Sequence, residues 1–179
     1  MKAEAGGHAR RIVLDTNVWI SAFLSADGAP SKLVRRVIER GRPVFSDITF
    51  AELETRLWRS KFDRYLSIDL RRRILHDVKA IADWIEIPHE LARRTWCRDA
   101  DDDHFIRAAL AAHAPMLVTG DADLLDLEAV DGLVVLTPAQ ALRAAPFVAK
   151  GQVPENAASR KSVLLRIRPL YDLHQVFRL

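Results

Sequence analysis

Cysteine is nearly absent from this 179-residue chain: Cys97 stands alone. A single thiol excludes an internal disulfide framework and a thiolate metal cluster, and it suits a reducing compartment such as the cytoplasm. No apolar run approaches the ~18 residues that a membrane-spanning helix needs. Residues 1–10 have no apolar core, so they read as a loose polar arm and not as a secretory leader. The His and Cys spacings of a zinc site are missing, and so are internal repeats and low-complexity tracts. What remains is a globular composition, 49% hydrophobic and 28% charged. That is enough chain for one domain with a sizeable core.

Charge is sorted along the chain. The formal net charge is +3, and residues 151–179 alone carry it, with Arg160, Lys161, Arg166, Arg168 and Arg178 against Glu155 and Asp172. Within the neutral remainder, residues 56–73 hold seven basic side chains against Asp63 and Asp69. Residues 99–103 hold four acids in five positions. An acidic site flanked by basic surface suits a phosphate-backbone ligand. Charge alone does not separate that reading from ordinary solvated helix faces.

Short apolar runs alternate with longer stretches of helical period. Arg11-Ile12-Val13-Leu14 reads as a buried strand ending directly in Asp15. Residues 43–46, 85–87, 116–119 and 133–136 read as further strands. Helices are expected over 18–25, 31–40, 48–60 with Asp47 as its cap, 67–84, 89–98, one opened by Asp101-Asp102-Asp103, and 138–143. Trp58 and Trp84 fall among the expected core residues. This alternation indicates an α/β fold with a parallel sheet covered on both faces. The domain is expected over 11–143. Residues 144–179 then form a linker and a basic C-terminal extension, read as a strand, an arm onto a neighbouring subunit, or an extension over its own core.

Acids recur where strands end. Asp15 closes the first strand, Asp121 and Asp123 follow the strand at 116–119, Asp102 heads the helix before it, and Glu52 lies one turn into the helix after the second strand. In a parallel sheet the carboxyl ends share one edge, where ligands bind. Carboxylates gathered there repel by several kcal/mol at ~4 Å in a protein-like dielectric. They therefore call for a cation, and an all-oxygen donor set selects Mg²⁺ or Mn²⁺ over zinc. Each acid also has a plainer reading: a strand-end turn for Asp15, a surface helix position for Glu52, a cap for one of Asp101–Asp103, a Gly-Asp turn for Asp121. His104 reads as a surface residue and Cys97 as inert.

The order of these segments resembles the PIN-domain family. Asp15-Thr16-Asn17 after an apolar strand is similar to its opening. Glu52 within Ser46-Asp47-Ile48-Thr49-Phe50-Ala51-Glu52-Leu53 matches its second acid. Arg98-Asp99-Ala100-Asp101-Asp102-Asp103-His104-Phe105, followed by Ala108-Ala109, is similar to the segment of the third. Leu117-Val118-Thr119-Gly120-Asp121-Ala122-Asp123-Leu124-Leu125 is similar to the fourth, and Leu136-Thr137-Pro138 to the usual end. The Thr-Gly-Asp-x-Asp-Leu-Leu form points to the VapC-like branch, the toxins of bacterial type II toxin–antitoxin systems.

The resemblance implies a three-layer α/β/α sandwich around a central parallel sheet. It implies hydrolysis of single-stranded RNA with Mg²⁺ or Mn²⁺ in the cytoplasm, an antitoxin partner that blocks the site, an arginine among the carboxylates being one way, and a homodimer. Asp15, Glu52, Asp102 and Asp121 are its acidic tetrad by position, Asp123 supports them, and Thr16, Asn17, Thr119 and Asp103 orient the ligands. Aligning Asp102 sets Phe105 and Ala109 at family spacing; aligning Asp103 sets Ile106 there. Asp102 is preferred, and both remain open. Arg107 stands where relatives are often acidic or neutral. Arg56, Arg59, Lys61 and Arg64, with Arg93, Arg94 and Arg98, are the candidate RNA-binding side chains. A non-catalytic RNA- or protein-binding module is the alternative, and it predicts a missing acid where here all four are present. A phosphatase with an aspartyl nucleophile would want a second Asp where Asn17 stands, and a receiver domain a lysine after a late strand.

Overall fold

The computed structural model describes residues 11–25, 27–127 and 130–144. The expected N-terminal arm and the expected linker and basic extension from residue 145 onward lie outside them. Five parallel strands form one sheet: β1 (Arg11–Leu14), β2 (Arg42–Phe45), β3 (Asp83–Trp84), β4 (Met116–Val118) and β5 (Val134–Leu136). Their order is β3-β2-β1-β4-β5. The chain builds outward from β1 through β2 to β3, then returns to add β4 and β5 on the other side. The direction reverses between β1 and β4, and a crevice opens at such a switch point outside the carboxyl ends.

Alternation along β1 divides the core. Ile12 and Leu14 face one layer and Val13 the other, as the two-residue period of a strand requires. The first layer packs α1 (Thr16–Leu24), α2 (Ala29–Arg40), α3 (Asp47–Leu57), α4 (Ile68–Ile81) and α8 (Pro138–Ala144) against the sheet. Trp19 is fully buried there, with ring centroids 5.9 Å from Phe23 and 5.6 Å from Phe45. The second layer holds α6 (Asp103–Ala111) and Leu124 of α7 (Ala122–Leu125), with Phe105, Ile106, Ala108 and Ala109 against Val13, Val44 and Leu117. The fold is the expected three-layer α/β/α sandwich. No helix among the described residues is long and apolar enough to cross a membrane.

Local expectations shift, among them the helix expected over 67–84, which ends at Ile81 as α4 and gives way to β3. Ser46, not Asp47, caps α3. Its hydroxyl accepts from Thr49 N at 3.3 Å while its own N–H donates to Thr49 Oγ1 at 2.9 Å, a reciprocal box that leaves Asp47 in the first turn. The third strand lies at Asp83–Trp84 and not at 85–87. Pairing follows the short β2, which offers Val44 and Phe45 as partners. Ile85 and Ile87 pack instead on the second core layer. The helix expected over 89–98 shortens to α5 (His89–Ala92). Trp58 and Trp84 are 38% and 40% exposed. Trp58 sits at the C-cap of α3 under the Arg71 guanidinium at 5.5 Å. Trp84 covers the sheet edge against Phe45 and Phe50.

Candidate active site

Asp15 leaves β1 at the switch point and caps α1. Its backbone N–H donates to Val118 O of β4 at 2.9 Å, so the position is tied to both central strands. Both carboxylate oxygens are fixed: Oδ1 accepts from Asn17 N at 3.2 Å and Oδ2 from the Thr119 hydroxyl at 2.6 Å. The residue is only 3% exposed. Burial pushes its pKa up and nearby Asp121 adds to that, while Thr119, Asn17 and Arg56 oppose. A carboxylate held in this way seeks further positive charge.

Thr119 links this acid to the next. Its Oγ1 also accepts from Asp121 N at 2.9 Å, so one hydroxyl sets the Asp15 side chain and the Asp121 backbone together. Asp121 caps α7 by accepting from Asp123 N at 2.9 Å. Asp123 is exposed beside it.

The acidic run at 99–103 separates into distinct roles. Asp99 closes a turn by accepting from Asp101 N at 3.0 Å. Asp102 occupies the N-cap position of α6, yet its side chain makes no capping bond. Its pKa is raised to about 6, first by burial and then by Asp121, Asp99, Asp15 and Asp123. Asp103 is fully buried and accepts from Trp96 N and Cys97 N, each at 2.9 Å. It also pairs with Arg107 at 3.4 Å. Asp102 thus feels the acids at the sheet edge, and Asp103 anchors the 96–97 loop. Arg107 joins this anchor: Nη2 and Nε donate to Arg94 O at 2.7 and 3.1 Å. Burial, with Asp103 next, pushes the half-buried Cys97 thiol up to about 12, so it stays protonated. The His104 pKa is lowered, by burial first and then by Arg107.

Glu52 sits one turn into α3. Burial raises its pKa, Arg56 opposes, Asp15 adds to the rise, the Thr16 hydroxyl opposes, and Asp101 adds a little more. Arg56 Nε lies 2.8 Å from Glu52 Oε1, a charge contact without hydrogen-bond geometry. Among the described residues, buried Glu52 Oε1 and Thr16 Oγ1 make no hydrogen bond of full geometry, although the Thr16 hydroxyl lies near enough to lower the Glu52 pKa. Arg56 Nη1 donates to Asn17 Oδ1 at 3.0 Å, so this arginine ties α3 to the turn after β1.

An open cleft of about 390 Å³ adjoins the acids. It is lined by Asn17, Ile20, Ser21, Arg56, Arg59, Lys61, Phe62, Gly120 and Asp121. Three of the basic candidates are therefore in it. Arg64 lies over Tyr65 at 5.3 Å, Arg94 pairs with Asp131 at 3.0 Å, and neither these nor the exposed Arg93 and Arg98 line it. Ile20, Ser21 and Phe62 were not singled out from sequence. The signal available was Asn17, Ile20 and Ser21 at i, i+3 and i+4, one face of α1.

Among the described residues no three acids stand close enough to hold an ion as they are. The donor set nonetheless fits a hard cation. It is all carboxylate, its members raise one another's pKa, and the Glu52 oxygen that meets Arg56 makes no hydrogen bond of full geometry.

A family profile described as the PIN domain matches residues 11–123, which spans every one of these acids. The chain belongs to the PIN-domain family. PIN domains are generally nucleases. The chain is 31% identical over 118 residues to an uncharacterized protein of Methanocaldococcus jannaschii, covering 65% of this chain and 74% of that one. Its fold is similar to a chain in the crystal structure of VapBC2 from Rickettsia felis, bound to a DNA fragment from their promoter. That match has a TM-score of 0.51 and 17% identity, and covers 71% of this chain and 98% of the other. A crystal structure of a Pyrobaculum aerophilum protein matches with a TM-score of 0.45 and 16% identity, over 90% and 96% of the two chains.

Proposed function

We propose that this PIN domain is a metal-dependent endoribonuclease acting on single-stranded RNA. The observation that carries the reading is the acid cluster at the β1/β4 switch point: buried Asp15 fixed by Thr119 and Asn17, with Asp102, Asp121 and Glu52 in electrostatic reach. Asp15, Glu52, Asp102 and Asp121, supported by Asp123, would hold Mg²⁺ or Mn²⁺, which supplies when bound a nucleophilic hydroxide at neutral pH and charge for the leaving 3′-oxygen. None of the acids needs to form a covalent bond to the substrate. The Thr119 hydroxyl and Asn17 N–H keep Asp15 from turning, so its position costs no reorganisation during reaction. Thr16 and Asn17 set the turn that carries Asp15 into α1, and Asp103 keeps the α6 entry in place so that Asp102 faces the other acids. Arg56, Arg59 and Lys61 would hold phosphates in the cleft, with Arg64 and Arg98 extending the basic track.

The Thr119–Leu125 motif and the fold likeness to a chain of VapBC2 support a narrower reading. On it, the chain is the cytoplasmic toxin of a toxin–antitoxin pair, a homodimer held in check by an antitoxin protein.

The test is cleavage of a fluorescent single-stranded RNA with Mg²⁺, with Mn²⁺ and with EDTA, for wild type, Asp15→Asn and Asp121→Asn. Cleavage that needs metal and is lost in both variants is the expected result. Folded wild type that cuts no RNA in either metal sinks the proposal, and cutting that survives both substitutions shows the site to be elsewhere.

A further inference from the structure

Within the acid cluster the nearest cation is one the chain supplies itself. Arg56 follows Glu52 by one helical turn on α3, and its guanidinium bridges Glu52 Oε1 at 2.8 Å and Asn17 Oδ1 at 3.0 Å. The same side chain lines the cleft beside Gly120 and Asp121. A guanidinium presents several donors in a planar fork, so it can hold two partners at once. Here the Nε contact to Glu52 lacks hydrogen-bond geometry, whereas the Nη1 bond to Asn17 meets it. The first contact is an ion pair between full charges, and the second a hydrogen bond to a neutral amide oxygen. As long as Arg56 lies against Glu52, its charge offsets that of a carboxylate in electrostatic reach of Asp15.

We infer that Arg56 is the resident counter-ion of the cluster: it occupies Glu52 in the metal-free protein, must give up that contact for a divalent ion to seat, and then meets the RNA phosphate in the adjoining cleft. The inference rests on the proposed metal-dependent reading of the site. Arg56 is a positioning residue in the first state. In the second it is a phosphate ligand, released into a cleft that already holds Arg59 and Lys61. The arrangement opposes metal binding, since a positive charge within one side chain's reach repels a divalent ion by about tenfold in affinity even at the dielectric of water. Phosphate draws the guanidinium away from Glu52, so RNA and metal strengthen each other's binding.

The experiment is Mn²⁺ binding to the full chain, followed by the electron spin resonance of free Mn²⁺, for wild type, Arg56→Gln, Arg56→Lys and Arg59→Gln. Arg56→Gln is expected to bind Mn²⁺ about tenfold more tightly than wild type while cleaving RNA more slowly at saturating Mn²⁺. Arg56→Lys keeps the charge and is expected within about threefold of wild type in Mn²⁺ affinity, as is Arg59→Gln. Unchanged or weaker Mn²⁺ binding in Arg56→Gln overturns the inference and leaves the nuclease reading standing. Equal tightening in Arg59→Gln also overturns it, because general surface charge would then explain the effect. Wild type that binds no Mn²⁺ overturns both the inference and the reading beneath it.

Discussion

Asp102 and Asp103 are adjacent and carry the same side chain, yet the structure gives them opposite consequences on truncation. Asp103→Ala removes a fully buried carboxylate that accepts two backbone N–H groups at 2.9 Å and faces Arg107 at 3.4 Å. Breaking one side of a buried charge pair costs about 3–5 kcal/mol. The orphaned N–H groups of Trp96 and Cys97 keep the cost there, although Arg107 retains its bonds to Arg94 O. A loss of about 4 kcal/mol in a chain of this size lowers Tm by about 8–16 °C. Asp102→Ala removes a carboxylate with no capping bond, surrounded by like charge, so its Tm at pH 7.5 without metal is expected to equal or exceed that of wild type. Circular dichroism melts of the two variants in EDTA make the comparison. A stable Asp103→Ala beside a collapsed Asp102→Ala would refute the assignment of anchor and site acid.

Other consequences can be checked separately. Thr119→Val deletes the hydroxyl shared by Asp15 and Asp121 N. About 1–3 kcal/mol of stability should go with it, and kcat/KM for RNA should fall more than tenfold. The Asp102 pKa of about 6 lies above the unfolded value of 3.8, so its contribution is fully present below pH 3.8 and is lost as pH rises through 6. The Tm increment produced by Mn²⁺ should accordingly grow as pH rises from 5 to 7, about the Asp102 value, and a flat increment would contradict this. Trp19→Ala empties the centre of the first core layer and should cost about 3–5 kcal/mol by urea unfolding. In an Asp15→Asn background, Arg59→Ala and Lys61→Ala should each reduce the salt dependence of RNA binding by about 0.7 in log–log slope. Unchanged slopes would remove the cleft from the RNA path.

Four of the five strands were legible because each is a short apolar run, and Asp15 and Asp121 stood out because they follow the carboxyl ends of two such runs. Adjacent residues of one type were harder to tell apart. Ser46 and Asp47 are both competent caps, and what decides between them is that β2 stops at Phe45. Asp101, Asp102 and Asp103 differ only in their phase on α6, which the sequence does not set until the 96–97 loop is seen to need an acceptor. Ile85 and Ile87 carry a strand pattern, but pairing depends on the partner's length, and β2 ends first. Trp58 and Trp84 look like core residues by type, yet they fall at a helix end and on the edge strand, where one side of the ring meets solvent. Arg56 shows its basic charge in the sequence; its bond to Asn17, 39 residues away, appears only once α1 and α3 are packed.

The proposed RNA cleavage depends on an ion that the acids at the β1/β4 switch point would hold. The most direct measurement is an anomalous difference map from crystals of the wild-type protein soaked in Mn²⁺. The expected result is a peak bounded by Asp15, Asp102 and Asp121, absent in Asp15→Asn. A peak coordinated by other residues, or none at millimolar Mn²⁺ in crystals with this edge open to solvent, would contradict it.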